Sequence, residues 1–255
     1  MVEKVQKYQF LFTELVKRDF KQKYKRTSLG MLWSILSPLL ELLVMRLVFT
    51  AFFSRDTPHY TTYLFSGLLT FNYFKESTKG GMTSLMANAK IFTKVNVPKY
   101  LFLFSKNVSA LINFGLTLLI YFVFCLIDGV SLTPKTPMLI LPILCLMVFN
   151  IGVGMILSAL FVFFRDIQYL YDVFLTLLRY LSAIFYTVER FDTKYQTLFL
   201  LNPVYTYIKY FRMIMLEQTI PSLNYHLLCI FYAVLMLAVG CWIYKKYNHQ
   251  FLYYV

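Results

Sequence analysis

The feature that most constrains this chain is a series of apolar runs long enough to cross a lipid bilayer. A helical crossing needs about 20 mostly apolar residues. Candidate runs fall near Leu32–Phe53, Tyr60–Phe74 with some extension, Ser109–Ile127, Met138–Phe164, Ile167–Val188 and His226–Tyr244. The chain is 59% hydrophobic with a mean hydropathy of +0.60, above the roughly half-apolar composition of soluble domains. The expected fold class is therefore an all-α polytopic membrane protein with six transmembrane helices. Trp33 stands where an interfacial anchor belongs, Lys106 can snorkel to the interface, and the fourth run is long enough to tilt.

Charge gives the orientation. The net charge is +13, which in a soluble chain would suggest nucleic acid. Here the basic residues gather in loops on one side of the spans, so a membrane topology signal explains them and no nucleic-acid partner is expected. The first segment carries Lys4, Lys7, Lys17, Arg18, Lys21, Lys23, Lys25 and Arg26. The loop after the second run carries Lys75, Lys79, Lys90, Lys94 and Lys99, and the tail carries Lys245 and Lys246. Before the fifth run the opposite loops hold only Arg55 and Lys135. Cytoplasmic loops collect Lys and Arg, so both termini are expected in the cytoplasm.

Residues 1–30 form a separate amphipathic unit ahead of a membrane domain over residues 31–255. Tyr8, Phe12, Leu15, Val16, Phe20 and Tyr24 recur every three or four positions, with Lys17, Lys21 and Lys25 on another face. Such a pattern predicts a helix lying on the membrane surface, ending near Ser28 and Gly30. About thirty mostly polar and basic residues precede the first run, so a cleaved signal peptide is not expected.

The stretch Glu189–Tyr225 is apolar but is interrupted by Asn202-Pro203. Proline ends a helix here, and the flanking pieces are too short to span. Two short re-entrant or interfacial helices on the outer side are expected. Irregular backbone at membrane depth is tolerated where it lines a protein cavity. Val204, Ile208, Phe211 and Met215 share one face of the second, with Lys209 and Arg212 elsewhere.

Catalytic and metal signatures are absent from the sequence. There is no GxxxxGK followed by Ser or Thr, no HExxH and no GxSxG, so the chain cannot cradle nucleotide phosphates in a P-loop. His59, His226 and His249 lie far apart. Cys125, Cys145, Cys229 and Cys241 all sit inside apolar runs and suit small apolar packing better than disulfides or metal. A polytopic membrane enzyme would want acidic or His clusters in its loops. Asp56, His59, Asp128, Glu189 and Asp192 are instead scattered over different outer loops. An ion channel would want a short charged or carbonyl filter.

Four segments carry a family resemblance. Residues 15–40 read LVKRDFKQKYKRTSLGMLWSILSPLL, with Leu29, Gly30 and Trp33 at the start of the first span. Residues 64–74 read LFSGLLTFNYF. Residues 84–114 hold Asn88, Ala89, Lys90, Ile91, Lys94, Val95 and Pro98. Residues 163–170 read FFRDIQYL, followed by FLLNPVYTYIKYFR at residues 199–212. Together these resemble the ABC-2 type permease subunits of polysaccharide, O-antigen and teichoic-acid ABC exporters. Phe71 departs from a frequent Trp, and Ala183 from a frequent Pro within Ser182-Ala183-Ile184-Phe185-Tyr186.

The resemblance implies a homodimer in the bacterial plasma membrane, working with two copies of a separate ATPase that binds ATP and Mg. This chain would hold no cofactor itself. It implies ATPase-coupling roles for Arg18, Lys21, Asn88, Lys90, Lys94, Arg165 and Asp166, and a polyprenyl-diphosphate-linked glycan as cargo. An ABC-2 drug or lipid exporter is the alternative within transport. Arg165 and Asp166 equally suit a helix cap with a positive-inside charge. Tyr63, Phe71, Tyr73, Tyr180, Phe185 and Tyr186 are candidates for a pore lining, because sugar C–H faces pack on aromatic rings; helix packing is their simpler role. Arg46 and Arg179 are ionisable residues inside spans. They would either face the pore or pair with Glu41, since a charge at a helix centre costs about 2.5–3.5 kcal/mol on insertion scales.

Overall fold

A computed structural model describes residues 2–25, 27–53, 58–95, 97–252 and 254. Arg26, Arg55 and Asp56 lie outside the described residues, as do the side chains of Lys4, Lys7 and Tyr24. All regular structure among the described residues is helical. The helices are α1 (Val2–Tyr24), α2 (Trp33–Phe53), α3 (Tyr60–Ala87), α4 (Ala89–Phe92), α5 (Tyr100–Ile127), α6 (Ile140–Phe163), α7 (Ile167–Leu181), α8 (Thr193–Phe199), α9 (Pro203–Met215) and α10 (Leu223–Tyr247). Four stretches are long and apolar enough to cross a bilayer: Gly30–Phe49, Tyr100–Ile127, Thr136–Phe163 and Leu223–Tyr247.

Several boundaries differ from the sequence reading. The third run starts nine residues earlier, at Tyr100 rather than Ser109, because Lys106 and Asn107 are carried inside the helix and satisfied by neighbours. The second run extends to Ala87. The fifth run does not reach Val188: α7 stops at Leu181, and Ala183 takes the left-handed backbone at φ +49°. At 15 residues, α7 is about 22 Å long, short of the roughly 30 Å hydrocarbon core.

Helix α3 is the centre of the bundle, flanked by α2, α5, α6 and α9. Its burial explains its mixed composition: Ser66, Thr70, Ser77, Thr78 and Ser84 are buried, Ser77 accepting from Asn107 of α5 and the other four bonding to carbonyls within the helix, so they meet no lipid. Helix α6 is sandwiched between α3 and α10. Glycines set both spacings. A Cβ on Gly81 would lie 3.0 Å from Gly154 Cα, and one on Gly152 would lie 2.3 Å from the Met236 carbonyl carbon. Small residues of this kind let membrane helices approach closely.

The amphipathic reading of α1 holds with one addition. Leu15 is buried in a cluster with Leu85, Phe92, Val97 and Phe102, so α1 packs on α3–α5.

Candidate functional site

The basic end is organised around a carboxylate. Asp19 on α1 is 5% exposed. Its Oδ1 accepts from Arg18 Nη2 at 2.8 Å and lies 3.0 Å from Lys106 Nζ, while Ser105 Oγ donates to Oδ2 at 3.0 Å. Arg18 Nη2 also donates to Asn88 Oδ1 at 2.8 Å, and Asn88 Nδ2 donates to the Ser84 carbonyl at 2.8 Å. Asn88 ends α3 and begins α4. The structure thus joins Arg18 and Asn88, two residues singled out from the sequence, directly, and ties Arg18 to α5 through Asp19, which sequence reasoning missed. An acidic residue in a basic amphipathic helix was the available signal. Lys21, Lys90 and Lys94 are exposed, as are Arg165 and Asp166 at the α6–α7 turn. Close by, Lys79 lies 2.6 Å from Asp172 of α7. Lys99 hydrogen-bonds the Asn248 carbonyl, and burial pushes its ammonium down from the usual lysine range.

Within the bundle, Arg179 of α7 pairs with Glu41 of α2, and Asn72 Nδ2 of α3 donates to the other Glu41 oxygen at 2.7 Å. Arg179 also lies over the Phe185 ring, 5.8 Å from its centroid. Of the two arginines singled out, Arg179 takes the ion-pair arrangement; Arg46 is exposed. The aromatic candidates separate by burial. Tyr63, Phe71, Tyr73 and Phe185 are packed inside a single chain, Tyr186 is half-buried, and Tyr180 is 57% exposed.

The Asn202-Pro203 break builds the far end. Asn202 Oδ1 accepts from the backbone N–H of Val204 at 3.0 Å and Tyr205 at 3.3 Å, capping α9, and Pro203 occupies its first position. The Asn202 amide donates to the Leu181 carbonyl at 3.2 Å and to Ser182 Oγ at 3.0 Å. One residue therefore starts α9 and ties it to the end of α7. Val204, Ile208, Phe211 and Met215 are buried as the periodicity predicts, and so is Arg212, at 4% exposure. The Arg212 guanidinium donates to Tyr63 Oη, Ser66 Oγ and the carbonyls of Tyr63, Ala183 and Ile184 at 2.7–3.2 Å. Lys209 bonds Glu189; burial alone would raise the Glu189 carboxyl, but the Lys209 hydrogen bond, a backbone hydrogen bond and the charges of Lys209 and Arg212 together outweigh it and hold the group below its ordinary value.

No group of three His, Cys, Asp or Glu able to hold a metal occurs among the described residues. A glycine-spaced helical bundle with four stretches long and apolar enough to cross a bilayer defines an integral membrane protein. The chain belongs to the ABC-2 type transporter family, which matches residues 10–216. It is similar to an O-antigen export system permease protein RfbA of Klebsiella pneumoniae, 28% identical over 246 residues, covering 94% of this chain and 93% of that one. It is also similar to an O-antigen export system permease protein RfbA of Myxococcus xanthus, 30% identical over 224 residues, covering 87% and 86%. A second Klebsiella pneumoniae RfbA is 27% identical over 246 residues.

Proposed function

We propose that this chain is the membrane-spanning permease subunit of an ATP-driven exporter that carries polysaccharide across the bacterial plasma membrane. The observation that carries the reading is the near end-to-end similarity to O-antigen export permeases, at 94% of this chain and 93% of the relative. In this reading two copies of the chain enclose the path, and two copies of a separate ATPase bind ATP and Mg. The cargo is a glycan on a polyprenyl diphosphate, of O-antigen or teichoic-acid kind.

The topology has six spans with both termini in the cytoplasm. Helices α3 and α7 join the four long apolar stretches as the second and fifth crossings. Helix α3, at 28 residues, is about 42 Å long and is shielded by its neighbours. Helix α7 continues into the turn at Ser182–Tyr186. Helices α8 and α9 form the re-entrant pair at the outer exit. Residues 1–30 are the cytoplasmic interface segment and 31–255 the membrane domain. Arg18, Lys21, Lys90, Lys94, Arg165 and Asp166 face the ATPase, Asn88, buried beneath Arg18, serves the coupling surface by holding that arginine, and the exposed face of α7 with Tyr180 contributes to the path. The clustering of basic side chains at one end of the bundle supports this orientation.

Mild-detergent purification of the tagged chain from its native host, followed by mass spectrometry, tests the reading. A P-loop ATPase in near-equal amount is expected. Its absence under conditions that preserve a known ABC complex would overturn the assignment.

A further inference from the structure

Three helices of this apolar bundle each carry a polar stripe at helical spacing: Ser34, Ser37 and Glu41 on α2, Asn72 and Glu76 on α3, Asn113 and Thr117 on α5. Residues three, four or seven apart share one helix face. All three stripes line one cleft of 420 Å³, within the roughly 300–1,000 Å³ range of small-molecule sites. The cleft includes Lys23 of α1 and Lys75, which is exposed at its rim.

Its polar groups form two sets of one kind. At the rim, Lys23 Nζ lies 2.8 Å from Glu76 Oε2, and Asn113 Nδ2 donates to Glu76 Oε1 at 2.6 Å. Deeper, Asn72 holds one oxygen of Glu41 and Arg179 holds the other. Arg179 is not part of the cleft lining, so it neutralises Glu41 from behind. Trp33 and Tyr73 add aromatic surface. Carboxylates inside a span are costly and by default mark a substrate path. A pure packing role would close the space around them, whereas here an open cleft remains.

We propose that this cleft, inside a single protomer, is a saccharide-binding site that receives uncharged, hydroxyl-bearing units of the exported chain. Glu41 and Glu76 accept from sugar hydroxyls, the side chains of Asn72 and Asn113 complete the hydrogen bonding, and Trp33 offers a ring face to sugar C–H bonds. Lys23 and Arg179 are already engaged by the carboxylates, and the remaining lining cation, Lys75, is exposed at the rim, so the interior offers a phosphate-rich polymer two carboxylates and no uncommitted positive charge. The assignment rests on the exporter reading and narrows it to a neutral glycan.

Photocrosslinking in the complete transporter, in its native host during export, tests the site. Benzoylphenylalanine is placed singly at Ser37 in the cleft, at Tyr180 on the exposed face of α7, and at Leu235 on the outward face of α10. A neutral-sugar adduct at Ser37, at least ten-fold above Leu235 and reduced several-fold by Asn72→Ala, is the expected result. A Ser37 adduct that carries phospholipid alone or phosphate-rich polymer overturns the proposal. So does a Ser37 yield equal to Leu235 while Tyr180 captures glycan, and that outcome leaves the exporter reading standing. Glycan at none of the three positions overturns both. If the Ser37 variant fails to accumulate, Thr117 on the facing wall gives the same readout.

Discussion

The guanidinium of Arg212 lies over the ring of Tyr63, with Cζ 3.5 Å from the ring centroid, and donates to the hydroxyl of the same tyrosine at 2.7 Å. Its five hydrogen bonds all go to uncharged oxygens, matching the five donors of an arginine. Two of those oxygens are the carbonyls of Ala183 and Ile184, just past the end of α7. Arg212 on α9 thus fixes the turn that follows α7 and holds it to α3 through Tyr63 and Ser66. Gly67 makes the space, since a Cβ there would lie 2.7 Å from Arg212 Nη2.

Replacing Arg212 by Met should therefore loosen three elements together. At about 1–3 kcal/mol for each buried polar group left unsatisfied, a loss of at least about 3 kcal/mol is expected. Thermal unfolding in detergent should fall by roughly 6–12 °C at about 2–4 °C per kcal/mol. Arg212→Lys keeps the charge but not the fork and should fall between. An unchanged melting temperature for Arg212→Met would show that the network is not holding these elements.

The two glycines of α6 should respond differently to one added methyl group. A Cβ on Gly152 meets the backbone of Met236 and Leu237 at 2.3–2.5 Å, whereas one on Gly154 meets Leu103 and Gly81 at 3.4–3.5 Å. Backbone cannot rotate away. Gly152→Ala is expected to cost about 1–3 kcal/mol by overpacking, and Gly154→Ala to stay within about 0.5 kcal/mol. The same detergent melts check this, and equal shifts for the two variants would contradict the close α6–α10 contact.

The long apolar runs, the surface helix and the Asn202-Pro203 break were legible in the sequence because each follows from local chemistry: run length, period and proline. What stayed hidden depended on partners distant in sequence. Arg212 was placed off the apolar face of α9, as any single helix pattern would place it; its burial needs Gly67 and the Ala183 turn, 145 and 29 residues away. Asp19 shows in the sequence only as an acidic residue in a basic helix; its role stays hidden for the same reason, since Ser105 and Lys106 come from another helix. Glu41 and Arg179 were recognisable as a pair because unpartnered charges are so costly at membrane depth.

The Asp19 cluster should hold α1 against α5. Asp19→Ala removes the acceptor for Arg18, Lys106 and Ser105 together. Arg18 and Lys106 are 40% and 23% exposed, so the cost is well below that of a fully buried pair, about 2 kcal/mol. If α1 opens locally, that corresponds to roughly a thirty-fold rise in its open population. Limited trypsin digestion should then cut at Lys21 or Lys25 roughly that much faster, with the spans intact. Unchanged cleavage would mean that the apolar contacts of Leu15 suffice to hold the helix.

The Glu41–Arg179 pair bridges α2 and α7 at a seam that the stacked rings of Phe49 and Phe185 also cross, with centroids 4.5 Å apart. Either side chain alone would be an uncompensated charge, so Glu41→Gln and Arg179→Gln should each lower protein level and export together. The double variant removes both charges and should recover part of the loss, with a coupling of about 0.5–3 kcal/mol in a thermal-melt cycle. Export and membrane protein level measured for all four forms separate two roles. If Arg179→Gln abolishes export at full protein level and the double variant is no better, Arg179 acts on the cargo. Matched losses with partial recovery place its role in holding α7 against α2.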